Sequence, residues 1–227
     1  MQTNRLVEKR LERMTFLFKA AEDLSHRQHV ISINRMLELF NELSACQAGI
    51  EEINLIYLCK LGDDEVRHTA ILAWLLNNRE NHGMGNRFFK ALLDLCKKTV
   101  VDAEGSYRVI TEFAKQESVI DILVYQRKGF AVYVEHKVTA AEGPEQLNRE
   151  YRDLQRLGNE QEIHPDLRIA IFLTPEGRPP ASGDSSLWVH ISHCLLAAAF
   201  EPVIESMPTG KARWFIEDWV NTIKMWR

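Results

Sequence analysis

A chain of 227 residues, 45% hydrophobic and 26% charged, is long enough to bury a sizeable core in one or two domains. Its formal net charge of -4 and pI near 6.1 exclude a molecule that attracts nucleic acid through its overall field, so a phosphate-binding surface has to be local. No apolar run approaches a membrane span and no secretory core opens the chain, while Cys46, Cys59, Cys96 and Cys194 are far apart with no Cys-X-X-Cys pair; free thiols in a reducing cytoplasm are expected.

In chain order, residues 1–60 read as a helical extension and 61–227 as the main domain. Val7, Leu11, Met14, Phe18 and Ala21 form one apolar stripe, and Val30, Ile33, Leu37 and Phe40 a second; the first suits either a dimer contact or packing on its own domain. Helices are predicted at 63–77 and 86–98, strands at 108–113, 119–126 and 130–138, a helix at 144–157, strands at 167–173 and 187–191, and closing helices at 193–204 and 212–226. That order predicts an α/β fold, a mixed β-sheet flanked by helices. The broken segment 175–184 is expected at the surface, rimming the cleft.

The runs VIDILVYQ and FAVYVEHKV are rich in β-branched and aromatic residues, and Arg127-Lys128-Gly129 between them reads as a hairpin turn. Antiparallel pairing sets Asp121, near the start of the first strand, against the end of the second. Glu135 and Lys137 are two apart and share one face, while His136 points to the other. The register decides whether Asp121 joins Glu135 and Lys137. Asp121 lies in a run that is apolar on both sides, so its carboxylate is expected to be partly buried and in need of a cation or donors. Two carboxylates and an ammonium suit metal-assisted phosphodiester hydrolysis: hard oxygens for Mg2+, and a positive charge for the water or the phosphate.

The order Asp121, then Glu135-His136-Lys137, then a helix carrying Gln146 resembles the PD-(D/E)XK nuclease superfamily. The helix Glu65-Val66-Arg67-His68-Thr69 and its continuation to Leu76 resemble the amino-terminal helix of a branch common in bacterial defence and mobile elements. The resemblance implies a restriction-endonuclease-like fold with catalytic residues Asp121, Glu135, Lys137, Glu65 and Gln146. It also implies Mg2+ or Mn2+ on Asp121, Glu135 and the His136 backbone carbonyl, nucleic acid, DNA first, as substrate, and a role in defence against phage or foreign DNA. An RNA-cleaving toxin and a nuclease-fold interaction module remain open beside it, as do a homodimer through the amino-terminal helices and a partner ATPase or sensor protein. One position departs from the pattern: the family helix commonly carries Tyr four residues after Gln, where this chain has Glu150.

Other residues have two readings each. Glu65 also suits the first turn of a helix capped by Asp63 or Asp64. His68 serves either substrate phosphate or helix–sheet packing. Glu112 and Glu117 are further acids near Asp121. Tyr151, with Leu147, Leu154 and Leu157, makes an apolar stripe and reads as core. Arg149, Arg152 and Arg156 are either a phosphate-facing row or a salt-bridge ladder, and Arg87, Lys90, Lys97 and Lys98 form a second basic group.

Overall fold

The computed structural model describes residues 54–97 and 103–226. The chain divides into two units, Met1–Cys59 and Lys60–Arg227. The apolar stripes from Val7 and Val30 lie outside the described residues. In the first unit the helical turn α1 (Leu55–Leu58) is described, its N-cap Asn54 accepting the Tyr57 N–H. All else below concerns the second unit.

Two helices, α2 (Glu65–Leu76) and α3 (Arg87–Leu95), precede the strands β1 (Arg108–Ala114), β2 (Val119–Gln126) and β3 (Phe130–His136). Then come α4 (Gln146–Glu160), β4 (Arg168–Thr174), β5 (Val189–Ser192), α5 (His193–Glu205) and α6 (Lys211–Lys224). The predicted elements are all present. The differences are at ends: α4 begins after Pro144 and runs on to Glu160, and residues 185–187 form a 3-10 turn before β5.

The sheet order is β1-β2-β3-β4-β5, antiparallel from β1 to β3 and parallel from β3 to β5. A two-strand antiparallel step needs only a hairpin, whereas the parallel step from β3 to β4 needs a crossover, which α4 supplies. The central strand β3 is buried along its whole length, as expected of a strand covered on both faces. One face packs Leu123, Ala131, Tyr133, Ala170 and Phe172 against Leu147, Leu154 and Leu157 of α4, with Tyr151 alongside. Tyr151 is thus core, as its stripe predicts. The other face meets the remaining helices through aromatic contacts that join Phe130 to Phe89 and Tyr107, and Phe200 to Phe88 and Trp219.

The β1–β2 ladder is interrupted beside the site. Thr111 pairs with Ile122 and Phe113 with Ile120, but Glu112 between them takes φ +50°. A non-glycine residue in the left-handed region costs about 1–2 kcal/mol. Strict alternation would put Ile120 and Leu123 on opposite faces, yet both belong to the α4-side cluster. The change of face falls at Asp121, opposite this kink, with no inserted residue, since the register is the same on both sides.

Candidate active site

The β2–β3 register pairs Ile122 with Val134 and Leu123 with Tyr133. One further step sets Asp121 opposite Glu135, on the face that Lys137 shares, which settles the question the sequence left open. Asp121 Oδ2 accepts the His136 N–H at 2.8 Å. Lys137 Nζ lies 2.7 Å from Glu135 Oε1 and 3.4 Å from Glu65 Oε1, and Glu65 Oε2 accepts the Val138 N–H at 2.8 Å. Glu65 reaches this place because α2 starts there. Asp64 caps the helix by accepting the Arg67 N–H, and Glu65 occupies the first turn. Glu65 is thus at once a first-turn acid of α2 and a neighbour of Lys137.

From α4, Gln146 Nε2 donates to Glu135 Oε1 at 2.5 Å and to Glu150 Oε1 at 2.8 Å, while Gln146 Oε1 accepts the Gly143 N–H at 2.9 Å. Glu135 and Glu150 are each 1% exposed, and among the described residues Oε2 of each has no hydrogen-bond partner. The structure thus gathers all five sequence-predicted residues and adds Glu150. Sequence reasoning met Glu150 only as a departure from a pattern. A signal was present: an acid three residues after Leu147 and four before Leu154 interrupts the core-facing stripe of α4.

One ammonium among four carboxylates leaves the site short of positive charge. Burial raises Asp121 above the usual carboxylate range, against the pull of the His136 N–H and Lys137. Burial, then the charges of Asp121 and Glu150, holds Glu135 well up, with Lys137 opposing. Burial pushes Glu150 up to about 8, with the Gln146 bond opposing and the Asp121 charge adding. For Lys137, burial works downward but the charges of Glu135, Asp121 and Glu65 outweigh it and hold the ammonium protonated.

The reverse side of β3 is a histidine network. Thr69 Oγ1 lies 3.0 Å from His136 Nδ1, and His136 Nε2 lies 3.0 Å from His193 Nε2. His68 accepts from Trp219 Nε1 at 2.9 Å and meets the Leu61 carbonyl at 2.7 Å. His68 is thereby tied to α6 and to the loop before α2, with both ring nitrogens engaged. Burial pushes His136 and His193 down, His193 to about 3, so both rings are neutral.

The basic groups also resolve. Glu117 pairs with Arg152 at 2.5 Å and with Arg156, which also meets Asp153 at 2.9 Å. Arg152 and Arg156 thus form a salt-bridge ladder in which Glu117 is spent, while Arg149 donates to the Glu117 and Pro144 carbonyls. Lys90 pairs with Glu104 and Arg87 bonds Ser206, while Lys98 lies outside the described residues. Glu112 is exposed. The 175–184 segment is fastened beside the site: Glu142, on the connection from Lys137 to Gln146, binds Arg178, the Ala181 and Ser182 N–H groups and the Ser182 hydroxyl. A separate cleft of about 560 Å3, lined in part by Arg79, Arg108, Tyr125 and Arg127, lies at the far end of β2. Five residues of strand, roughly 17 Å, separate Gln126 there from Asp121, so it is not part of this site.

A model of the PD-(D/E)XK nuclease superfamily matches residues 53–226. The chain belongs to the PD-(D/E)XK nuclease superfamily. Neither the curated proteins nor the solved structures compared with it give a match. The mixed five-stranded sheet with flanking helices is the restriction-endonuclease-like arrangement of that superfamily, whose members are in general metal-using nucleases. No helix among the described residues is long and apolar enough to cross a membrane.

The donor set fits a divalent cation. Asp121 and Glu135 offer hard oxygens, Glu135 Oε2 is buried without a partner, and the site lacks positive charge. Among the described residues, however, no three His, Cys, Asp or Glu groups are arranged to hold an ion. The hydrogen bonds account for this: Asp121 is turned to the His136 N–H, and Glu135 and Glu150 are both turned to Gln146.

Proposed function

We propose that this superfamily member is a Mg2+- or Mn2+-dependent nuclease that hydrolyses DNA, acting in the cytoplasm in defence against phage or foreign DNA, with residues 1–60 as a helical extension. The observation that carries the reading is the convergence of Asp121, Glu135, Lys137 and Glu65 at the open end of the β2–β3 hairpin. Asp121, Glu135 and the His136 carbonyl would hold the ion. When bound, it would polarise a phosphoryl oxygen and lower the pKa of a water.

The residues themselves divide the remaining work. Because its acidic neighbours hold Lys137 protonated, its role is that of a positive charge beside the phosphate or water, and not that of a base. Glu65 holds that ammonium and the Val138 N–H, which fixes the chain on both sides of Lys137. Gln146 orients Glu135, and both hydrogens of its amide are already used there. It therefore supports the site through Glu135 and does not itself hand a hydrogen bond to substrate.

The test is cleavage of supercoiled plasmid, linear duplex, single-stranded DNA and RNA with Mg2+ or Mn2+, comparing wild type with Lys137→Ala. DNA cutting by the wild type and its loss in the variant is the expected result. Cutting of RNA alone would replace the substrate assignment with an RNA-cleaving toxin. Cutting of nothing would favour a nuclease-fold interaction module.

A further inference from the structure

Two acids of α4 are equally buried and treated in opposite ways. Asp153, 0% exposed, accepts the Glu117 N–H at 2.9 Å and the Ser118 hydroxyl at 2.8 Å on one oxygen, and pairs with Arg156 at 2.9 Å on the other. It ties the β1–β2 turn to α4, and its burial is fully compensated. Glu150, 1% exposed, accepts from Gln146 on Oε1 and has no hydrogen-bond partner on Oε2 among the described residues. Leaving a buried polar atom unsatisfied is destabilising, more so for a charged group. Leu147 and Leu154 flank the position on the same stripe, so an apolar side chain would suit it at least as well for stability. A structural role does not explain Glu150.

The donor that Glu150 holds is one amide, and its carboxyl also lies against that of Glu135. Gln146 is gripped at three points: its oxygen by the Gly143 N–H, and its two N–H groups by Glu135 and Glu150. The i,i+4 spacing on α4 puts Glu150 directly alongside Gln146. Without Glu150 one amide hydrogen would lose its acceptor, and Gln146 could rotate away from Glu135 or turn its oxygen toward that carboxylate. With Glu150 present, the amide can only donate to Glu135 Oε1, which leaves Glu135 Oε2 as the uncommitted oxygen.

We propose that Glu150 is a positioning residue of the candidate metal centre, holding Gln146 so that the Glu135 carboxylate is fixed with one oxygen free to take a divalent cation. The inference rests on the reading of Asp121 and Glu135 as metal ligands. It gives a physical reason for an acid at the place where the family pattern commonly has Tyr. Partners that orient a ligand from behind typically change metal affinity 10–100-fold when lost.

The experiment is Mn2+ binding by titration calorimetry on the full chain without nucleic acid, for wild type, Glu150→Leu, Glu150→Gln and Asp121→Asn. Glu150→Leu is expected to bind about 10–100-fold more weakly while melting no lower than wild type in chelator. Glu150→Gln, whose carbonyl oxygen can accept the same amide hydrogen, is expected to keep near-wild-type affinity. Wild-type affinity in Glu150→Leu would overturn the proposal. So would equal loss in Glu150→Gln, which would show that charge matters and grip does not. In a Gln146→Ala background the Glu150 substitutions should have no further effect, and additive losses would overturn the route through Gln146; this arm decides the matter if Glu150→Leu does not fold. No binding by wild type, or unchanged binding by Asp121→Asn, would instead refute the underlying metal assignment.

Discussion

Replacing Glu150 by glutamine should stabilise the metal-free protein at alkaline pH and leave it unchanged at acid pH. Burial lifts Glu150 from the usual 4.5 to about 8 in the folded state, with the Gln146 bond opposing and the Asp121 charge adding. Between those values the folded protein keeps a proton that the unfolded chain has released, so stability falls as pH rises through this window. At about 1.4 kcal/mol per pH unit, the interval from 4.5 to about 8 amounts to roughly 5 kcal/mol. That is an upper bound, because Glu135 lies alongside with its own value also raised, so ionisation of one acid favours protonation of the other. One kcal/mol moves the melting point of a domain this size by about 2–4 °C. The assay is calorimetric melting of wild type and Glu150→Gln in chelator across pH 4.5–8.5. The gap should be absent at the acid end and grow to several degrees at the alkaline end. The buried histidines titrate alike in both proteins and cancel in the difference. A gap that is constant with pH, or that favours wild type at pH 8, would refute the argument.

Millimolar Mg2+ or Mn2+ should raise the melting temperature of wild type, by an amount equivalent to about 2.7 kcal/mol at one hundred times Kd, and should have little effect on Asp121→Asn; no shift in wild type would count against ligation. Asp153→Ala should destabilise by about 3 kcal/mol, since it leaves the Glu117 N–H, the Ser118 hydroxyl and Arg156 without their acceptor, yet should not change Mn2+ affinity in calorimetry. A parallel loss of metal would mean that α4 acts as one rigid unit and that Glu150 is nothing special. His193 is pushed down to about 3, by burial first and then by the charge of His68, so it contributes stability above pH 6.5 that is lost as pH falls toward 3. In acid titrations followed by circular dichroism, His193→Gln should therefore unfold at lower pH than wild type relative to its neutral stability, and identical acid limbs would contradict this.

Much of the candidate site is legible in the sequence because its residues lie close in sequence or on periodic elements. The alternation in residues 130–137 separates Glu135 and Lys137 from His136 without reference to the rest of the fold. The Asp64 cap and the first-turn position of Glu65 are likewise local. What alternation cannot supply is register. The pairing of Ile122 with Val134, which sets Asp121 against Glu135, depends on how the turn at residues 127–129 closes.

The paired arginines show the same limit from the other side. A row on one helix face looks alike whether it awaits phosphate or meets Glu117, because Glu117 arrives from the β1–β2 connection, far away in sequence.

The sequence alone determined the element order, the mixed sheet, the core stripe of α4 and the acids and lysine offered by the hairpin, since each follows from local periodicity and residue chemistry. Only the tertiary structure decided that Glu150 is buried beside Glu135, that Glu112 kinks β1 opposite Asp121, and that His136 meets His193 as a neutral pair while His68 bonds Trp219. These depend on which groups lose water together, and desolvation is a property of the packed neighbourhood that no single segment carries.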